Sequence, residues 1–322
     1  MKIQASDDAG KYEKASERLN RVMEETGKVI VGKEDVIEKI LISIICDGNV
    51  LLESYPGLGK TKTVRTLSQV LGLNFSRIQN TPDLMPSDIT GTHIINEKEH
   101  GEKEFVFQEG PIFSNMILAD EINRATPNTQ AALLEAMEEK QVTVGNDSYQ
   151  LEKPFFLMAT QNPIDQEGTY PLPEAQKDRF MMKLEMGHPE DDEEEEIVDR
   201  FTSELDYSPQ LEKVLSQASL IKLQEFVRQV PVADDIKERA VEIVSATREH
   251  DDLNYGASPR ASINLVLAGK GRALIHGRNY VSASDINEMA TPILRHRIGL
   301  NFQAEKQDKN EDDVVEEIVE EV

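Results

Sequence analysis

The sequence predicts an α/β fold, a parallel sheet sandwiched by helices and followed by a smaller all-helical domain. Three observations predict it. Short apolar runs alternate with helical patterns as far as residue 188, the order that builds a parallel sheet covered on both faces. One junction reads strand, glycine-rich loop, helix: Asn49–Glu53, then Pro56, Gly57 and Gly59, then Lys60–Leu71. Beyond Pro189 the apolar residues recur almost wholly at helical spacing.

Residues 1–10 are polar and predict a disordered stub. Tyr12–Glu25 reads as a helix ended by Gly27, and Glu34–Cys46 as a second, with Val36, Ile37, Ile40, Leu41, Ile44 and Ile45 on one face. Asn74–Ile78 predicts a strand. The turn-rich stretch 81–110 holds short β-like pieces at Thr92–Ile95 and Phe105–Phe107. Ser114–Ala119 is a compact apolar strand ending in Asp120-Glu121, and Thr126–Glu139 a helix with Pro127 in its first turn. Gln141–Val144 and Tyr149–Leu151 flank Asn146-Asp147 as a hairpin. Phe155–Thr160 is another buried strand, and Pro173–Phe180 a short helix. Helices follow at Leu220–Val227, Ala233–Thr247, Ser258–His276 and Ser284–Ile293. The predicted organisation is a nucleotide-binding core over 11–187, a helical domain over 188–304, and an acidic tail over 305–322, disordered or a frayed helix.

The chain carries 60 acidic and 35 basic residues, a net charge of −25. Such a surface repels nucleic acid and anionic membranes at long range. Cys46 is the only cysteine, so no intrachain disulfide forms, which suits a reducing compartment; its apolar setting reads as a buried, inert thiol. No signal peptide is evident at the N-terminus, and no apolar run is long enough to span a bilayer. A cytoplasmic location without membrane insertion is the expectation.

Five motifs carry chemistry. Pro56-Gly57-Leu58-Gly59-Lys60-Thr61, followed by Lys62, sits between a strand and a helix, the context that a phosphate-binding loop requires. Its glycines let backbone N–H groups face phosphate oxygens at a helix N-terminus. Lys60 would pair with the β- and γ-phosphates of ATP, and the Thr61 hydroxyl would coordinate Mg²⁺. Ser54 stands where the usual pattern has its first glycine. Asp120-Glu121 ends an apolar strand at the sheet's carboxyl edge, where ligands bind in open α/β sheets; Asp120 would hold Mg²⁺, and Glu121 would orient and polarise the attacking water. Asn162, in Ala159–Pro163, would touch the γ-phosphate or that water, although an Asn-Pro turn explains the residues equally well. Arg179, in Pro173–Phe180, fits either an arginine finger or a surface salt bridge to Asp178 or Glu174. In Ser258-Pro259-Arg260, Ser258 caps a helix and Arg260 points from its first turn.

With these words in place, together with Thr81–Gly91, Gly110–Phe113, Leu118–Ala125, Ala132–Glu139 and Gln166–Gln176, the sequence resembles the MoxR family of AAA+ ATPases over roughly residues 15–300. The resemblance implies an AAA+ core with a helical lid and nucleotide between them. It implies Asn162 as first sensor, Arg179 as finger acting on the neighbouring subunit, Arg260 as second sensor in its own subunit, and Val31 and Gly32 near the adenine. Arg124 would add a second contact to the neighbour. Residues 81–110 would be the insert of the second core helix, and 141–152 the hairpin before the first sensor. The family also implies a homo-oligomeric, hexameric ring and a partner carrying a von Willebrand factor A domain, with chaperone-like remodelling, assembly or metal insertion as the work. Rival readings are an ATP-dependent scaffold or switch with little turnover, and a nucleic acid or chelatase-type motor; the −25 charge opposes the nucleic acid reading.

Overall fold

The computed structural model describes residues 2–97, 103–163, 169–203 and 207–322. Part of the 81–110 insert, and Gln166, Glu167 and Gly168 of the resemblance, lie outside the described residues.

The elements run α1 (Lys2–Gly27), α2 (Glu34–Ile45), β1 (Val50–Ser54), α3 (Lys60–Val70), β2 (Phe75–Gln79), α4 (Pro86–Thr90), β3 (Gly91–Glu97), β4 (Lys103–Glu109), β5 (Met116–Asp120) and α5 (Pro127–Glu139). They continue with β6 (Gln141–Val144), β7 (Asp147–Gln150), β8 (Phe156–Gln161), α6 (Glu174–Lys177), β9 (Met182–Met186), α7 (Asp191–Thr202), α8 (Gln217–Val227) and α9 (Asp234–Glu249). Last come β10 (Leu253–Tyr255), α10 (Pro259–Ile275), α11 (Ala283–Leu294), β11 (Gly299–Leu300), α12 (Phe302–Glu305) and α13 (Glu311–Glu321).

A five-stranded parallel sheet of order β2-β5-β8-β1-β9 forms the centre. Its three central strands, β5, β8 and β1, are buried on both faces, and successive residues serve two different cores, as the period of a strand dictates. Met116, Leu118, Met158, Val50 and Leu52 pack with α1, α2, α3 and the C-terminal helices. Ile117, Ala119, Leu157, Ala159 and Leu51 pack with Leu133, Leu134 and Met137 of α5. The first core runs unbroken from the sheet into α9, α10 and α11, so these helices share the sheet's interior. There Cys46 is buried; its thiol donates to Leu267 O at 3.1 Å, and burial pushes its pKa up to about 12.

Four features depart from expectation. β9 joins the sheet edge beside β1 through the alternation Met182-Lys183-Leu184-Glu185-Met186, with Met, Leu and Met inward. The C-terminal helices carry a short antiparallel ribbon, β10–β11, so this region is not wholly helical. The backbone of α1 takes in residues 2–10, expected to be disordered; no proline interrupts the stretch. The tail, too, folds: α13 is capped by the Asn310 side chain accepting from Asp313 N, and it buries Val314, Val315 and Ile318. Three apolar residues on one face outweigh the acidity of the rest.

The β6–β7 hairpin forms as predicted; β3 and β4, where the sequence predicts only short β-like pieces, pair antiparallel, and the two ribbons touch each other. The rings of Phe107 and Tyr149 stack with centroids 4.0 Å apart.

Candidate functional site

Gly57 and Gly59 have φ of +87° and +84°, a region that side chains rarely enter. No atom crowds either position, so the need for glycine is conformational. The loop thereby turns from β1 into α3 and delivers Lys60 to the first helical position. The Lys60 ammonium reaches back over the loop to donate to Ser54 O at 3.2 Å. Ser54 lies in extended strand beside Met186, and its hydroxyl donates to Tyr55 O, so the departure from glycine leaves β1 regular. Pro56 is exposed.

Beside the loop lies a cavity of about 350 Å³, walled by Val29, Ile30, Val31, Leu58 and Lys62 on one side and Ile197 and Phe201 on the other. Gly32 has φ +66°, and a Cβ there would collide with the Glu193 carboxylate. The Lys62 ammonium sits 3.5 Å over the Phe201 ring, and burial lowers its pKa.

β8 lies between β5 and β1, so Asp120, Glu121 and Asn162 meet the loop at one carboxyl edge. Thr160, fully buried, organises this edge. Its hydroxyl donates to Asp120 Oδ1 at 2.6 Å and accepts from Glu121 N at 2.9 Å. Arg77 of β2 donates to Asp120 Oδ2 through Nη2 at 2.5 Å and Nε at 3.2 Å. Asn80 donates to Asp120 O at 2.8 Å. Glu121 is held at φ +54°, and its carboxylate accepts from Arg124 Nη1 at 2.8 Å. Arg124 thus pairs within its own subunit. Half-buried Thr61 makes no side-chain hydrogen bond among the described residues. A hydroxyl and a carboxylate are the hard oxygen donors that suit Mg²⁺, so Thr61 and Asp120 fit that ion.

Arg179 and Arg260 are elsewhere. Both pair with Glu138 at the far end of α5, at 2.8 and 3.0 Å, and neither lines the cavity by the loop. The segment carrying Arg179 is clamped from the C-terminal region. Buried Arg297 donates to the Asp178 carboxylate at 2.8 Å and to the carbonyls of Asp178 and Met181, while Ser258 donates to Asp178 at 3.1 Å. Burial lowers the Arg297 pKa to about 10. Arg260 therefore shares the setting of the finger candidate, which sequence spacing does not foresee.

Thr160, Arg77 and Glu138 were missed in the sequence. The signal for the first two is a polar residue inside a strand that neighbours Asp120. Glu138 carries no local signal. Elsewhere His250, Asp252 and Glu317 face one another within 4.8 Å, but Lys309 already donates to both carboxylates at 2.8 Å. Among the described residues no helix is long and apolar enough to cross a membrane.

Comparison with known proteins accords with this geometry. Residues 49–182 match the ATPase family associated with various cellular activities (AAA), and residues 245–318 match the AAA lid domain. The chain is 46% identical to the uncharacterized protein YeaC of Bacillus subtilis, over 94% of this chain and 93% of the relative. It is 42% identical to Chaperone MoxR1 of Mycobacterium tuberculosis, over 89% and 77%. A Cytophaga hutchinsonii protein of known crystal structure superposes with a TM-score of 0.91 at 41% identity, covering 100% of this chain and 98% of that one. The chain belongs to the MoxR family of AAA+ ATPases.

Proposed function

We propose that the chain hydrolyses MgATP in a homo-oligomeric ring and couples turnover to remodelling of a partner protein. The observation that carries the chemistry is the Thr160 hydroxyl, which holds Asp120 and Glu121 together at the strand edge facing the glycine loop. Backbone N–H groups of residues 57–61 and the Lys60 ammonium hold the phosphates. Thr61 and Asp120 hold Mg²⁺, which when bound neutralises phosphate charge. Val31, Gly32 and the cavity beside them take the base. Glu121 accepts a hydrogen bond from water, and Asn162 aligns it. The water oxygen bonds to the γ-phosphorus as the bond to the bridging oxygen breaks, leaving ADP and phosphate. Arg179 and Arg260 stabilise that charge from the neighbouring subunit.

A core ending near residue 188, a cytoplasmic setting, a six-membered ring and a von Willebrand factor A partner complete the reading. Its support is the MoxR relationship, including a relative named as a chaperone. A second reading, an ATP-dependent switch with little turnover, draws support from the arginines on both acids. Arg77 pairs with Asp120 and Arg124 pairs with Glu121.

The test is phosphate release against protein concentration for wild type, Glu121→Gln and Arg179→Ala. Specific activity that rises with concentration, and is lost in both variants, supports the ring ATPase. ATP binding without release in wild type at every concentration supports the switch.

A further inference from the structure

α1 presents Lys11, Lys14, Ala15 and Arg18 along one side, at helical spacing, and α8 faces it with Lys222, Leu223 and Phe226. Between them lies a groove of about 490 Å³. Its floor is apolar: Ala15 and Leu223 are buried, and the Phe226 ring lies 4.8 Å from that of Tyr12. Its rim is cationic. Among the described residues the side chains of Lys14, Arg18 and Lys222 make no ion pair or hydrogen bond, although acids outnumber bases 60 to 35. One turn further along α1, Arg21 is tied to Glu24, Glu25 and Glu212. Like charges four residues apart, as Lys14 and Arg18 are, destabilise a helix. Lys14 and Arg18 therefore repel each other along α1, and among the described residues no ion pair of theirs offsets it.

We propose that this groove docks an acidic amphipathic segment of a partner protein, its carboxylates on the cationic rim and an apolar side chain on the Ala15–Leu223–Phe226 floor. A compact anion is a poorer match, because the three unpaired cations are exposed and long. Nucleic acid meets the repulsion of a −25 chain beyond this one patch. The chain's own acidic helix α13 cannot supply the apolar contact, because Val314, Val315 and Ile318 are already buried.

The test is fluorescence anisotropy on the full chain, with a fluorescein-labelled peptide of repeating Glu-Leu-Glu-Glu-Leu as probe. Saturable binding is expected that weakens as salt rises and falls at least about tenfold in K14E/R18E/K222E. These positions are exposed, so the variant should keep the wild-type melting temperature and ATP turnover. Equal binding by the variant overturns the proposal, as does no binding by wild type. It is also overturned if an all-Glu peptide or a single-stranded oligonucleotide binds wild type as tightly as the probe does.

Discussion

Arg179 and Arg260 hold opposite oxygens of one carboxylate, with Arg179 Nη1 at 2.8 Å from Glu138 Oε2 and Arg260 Nη2 at 3.0 Å from Oε1. Two guanidinium groups that meet on one glutamate belong to one surface. A nucleotide that Arg179 reached across a subunit interface would lie close to Arg260 as well. A phosphate that approaches would replace Glu138 as their shared anion.

On the proposed ring reading, Arg260 would contribute to the neighbour's site. Arg260→Ala alone should lower kcat about a thousandfold or more, in the range of arginine-finger losses. Mixing it with Glu121→Gln should restore turnover well above either variant alone. In a mixed ring an intact Glu121 then faces an intact Arg260 across an interface. A mixture no more active than the sum of its parts would place Arg260 in its own subunit's site.

Thr160→Val removes one hydroxyl and keeps the shape. Asp120 Oδ1 and Glu121 N then lose a partner at 2.6 and 2.9 Å in a buried setting. The cost should be about 1–3 kcal/mol in urea unfolding. Turnover should fall about tenfold or more with nucleotide affinity little changed, because the groups that hold phosphate are untouched. Thr160→Ser should restore both, since it keeps the hydroxyl.

The contrast between Thr160 and Lys60 shows what could be read in the sequence. Lys60 follows two glycines whose positive φ sets a local turn, and that turn chemistry is written in adjacent residues. The same holds for Asp120-Glu121 after an apolar strand. Thr160 becomes visible only when β8 lies beside β5, and Glu138 only when α10 packs near α5. Those are facts of tertiary pairing that no local spacing encodes. Tail and β9 were illegible for another reason: abundant Glu, Asp and Lys mask three inward apolar positions in each.

Asp285 anchors the start of α11. Burial alone would raise its pKa, but Arg278, Ser282 and Arg272 outweigh that and hold the carboxyl well below the usual range. Arg278 lies 2.5 Å away and Arg272 2.8 Å away. A lowered folded pKa means stability that is present above the unfolded value of about 3.9 and is lost as pH falls below it. Asp285→Asn should cost about 3–5 kcal/mol near neutral pH, because two partly buried cations lose their partner. The gap between wild type and variant in urea midpoint should narrow below about pH 4. A gap that stays constant as pH falls would mean that the charge of Asp285 contributes nothing.

The last helix tests whether acidity or its apolar face decides its fate. Ile318 is 1% exposed, and Val314 and Val315 are fully buried with it in the main core. Arg295 of the adjoining C-cap donates to Asp312 at 2.9 Å and adds a second tie. Ile318→Ala removes buried carbon and leaves a cavity, which should cost about 2–4 kcal/mol and lower the melting temperature by several degrees. Glu320→Ala, on the exposed face, should change stability by no more than about 0.5 kcal/mol. Equal, negligible effects from both would mean that α13 is frayed from the body in solution. Hydrogen exchange at the Val315 amide distinguishes the cases directly, since a docked helix protects it and a frayed one does not.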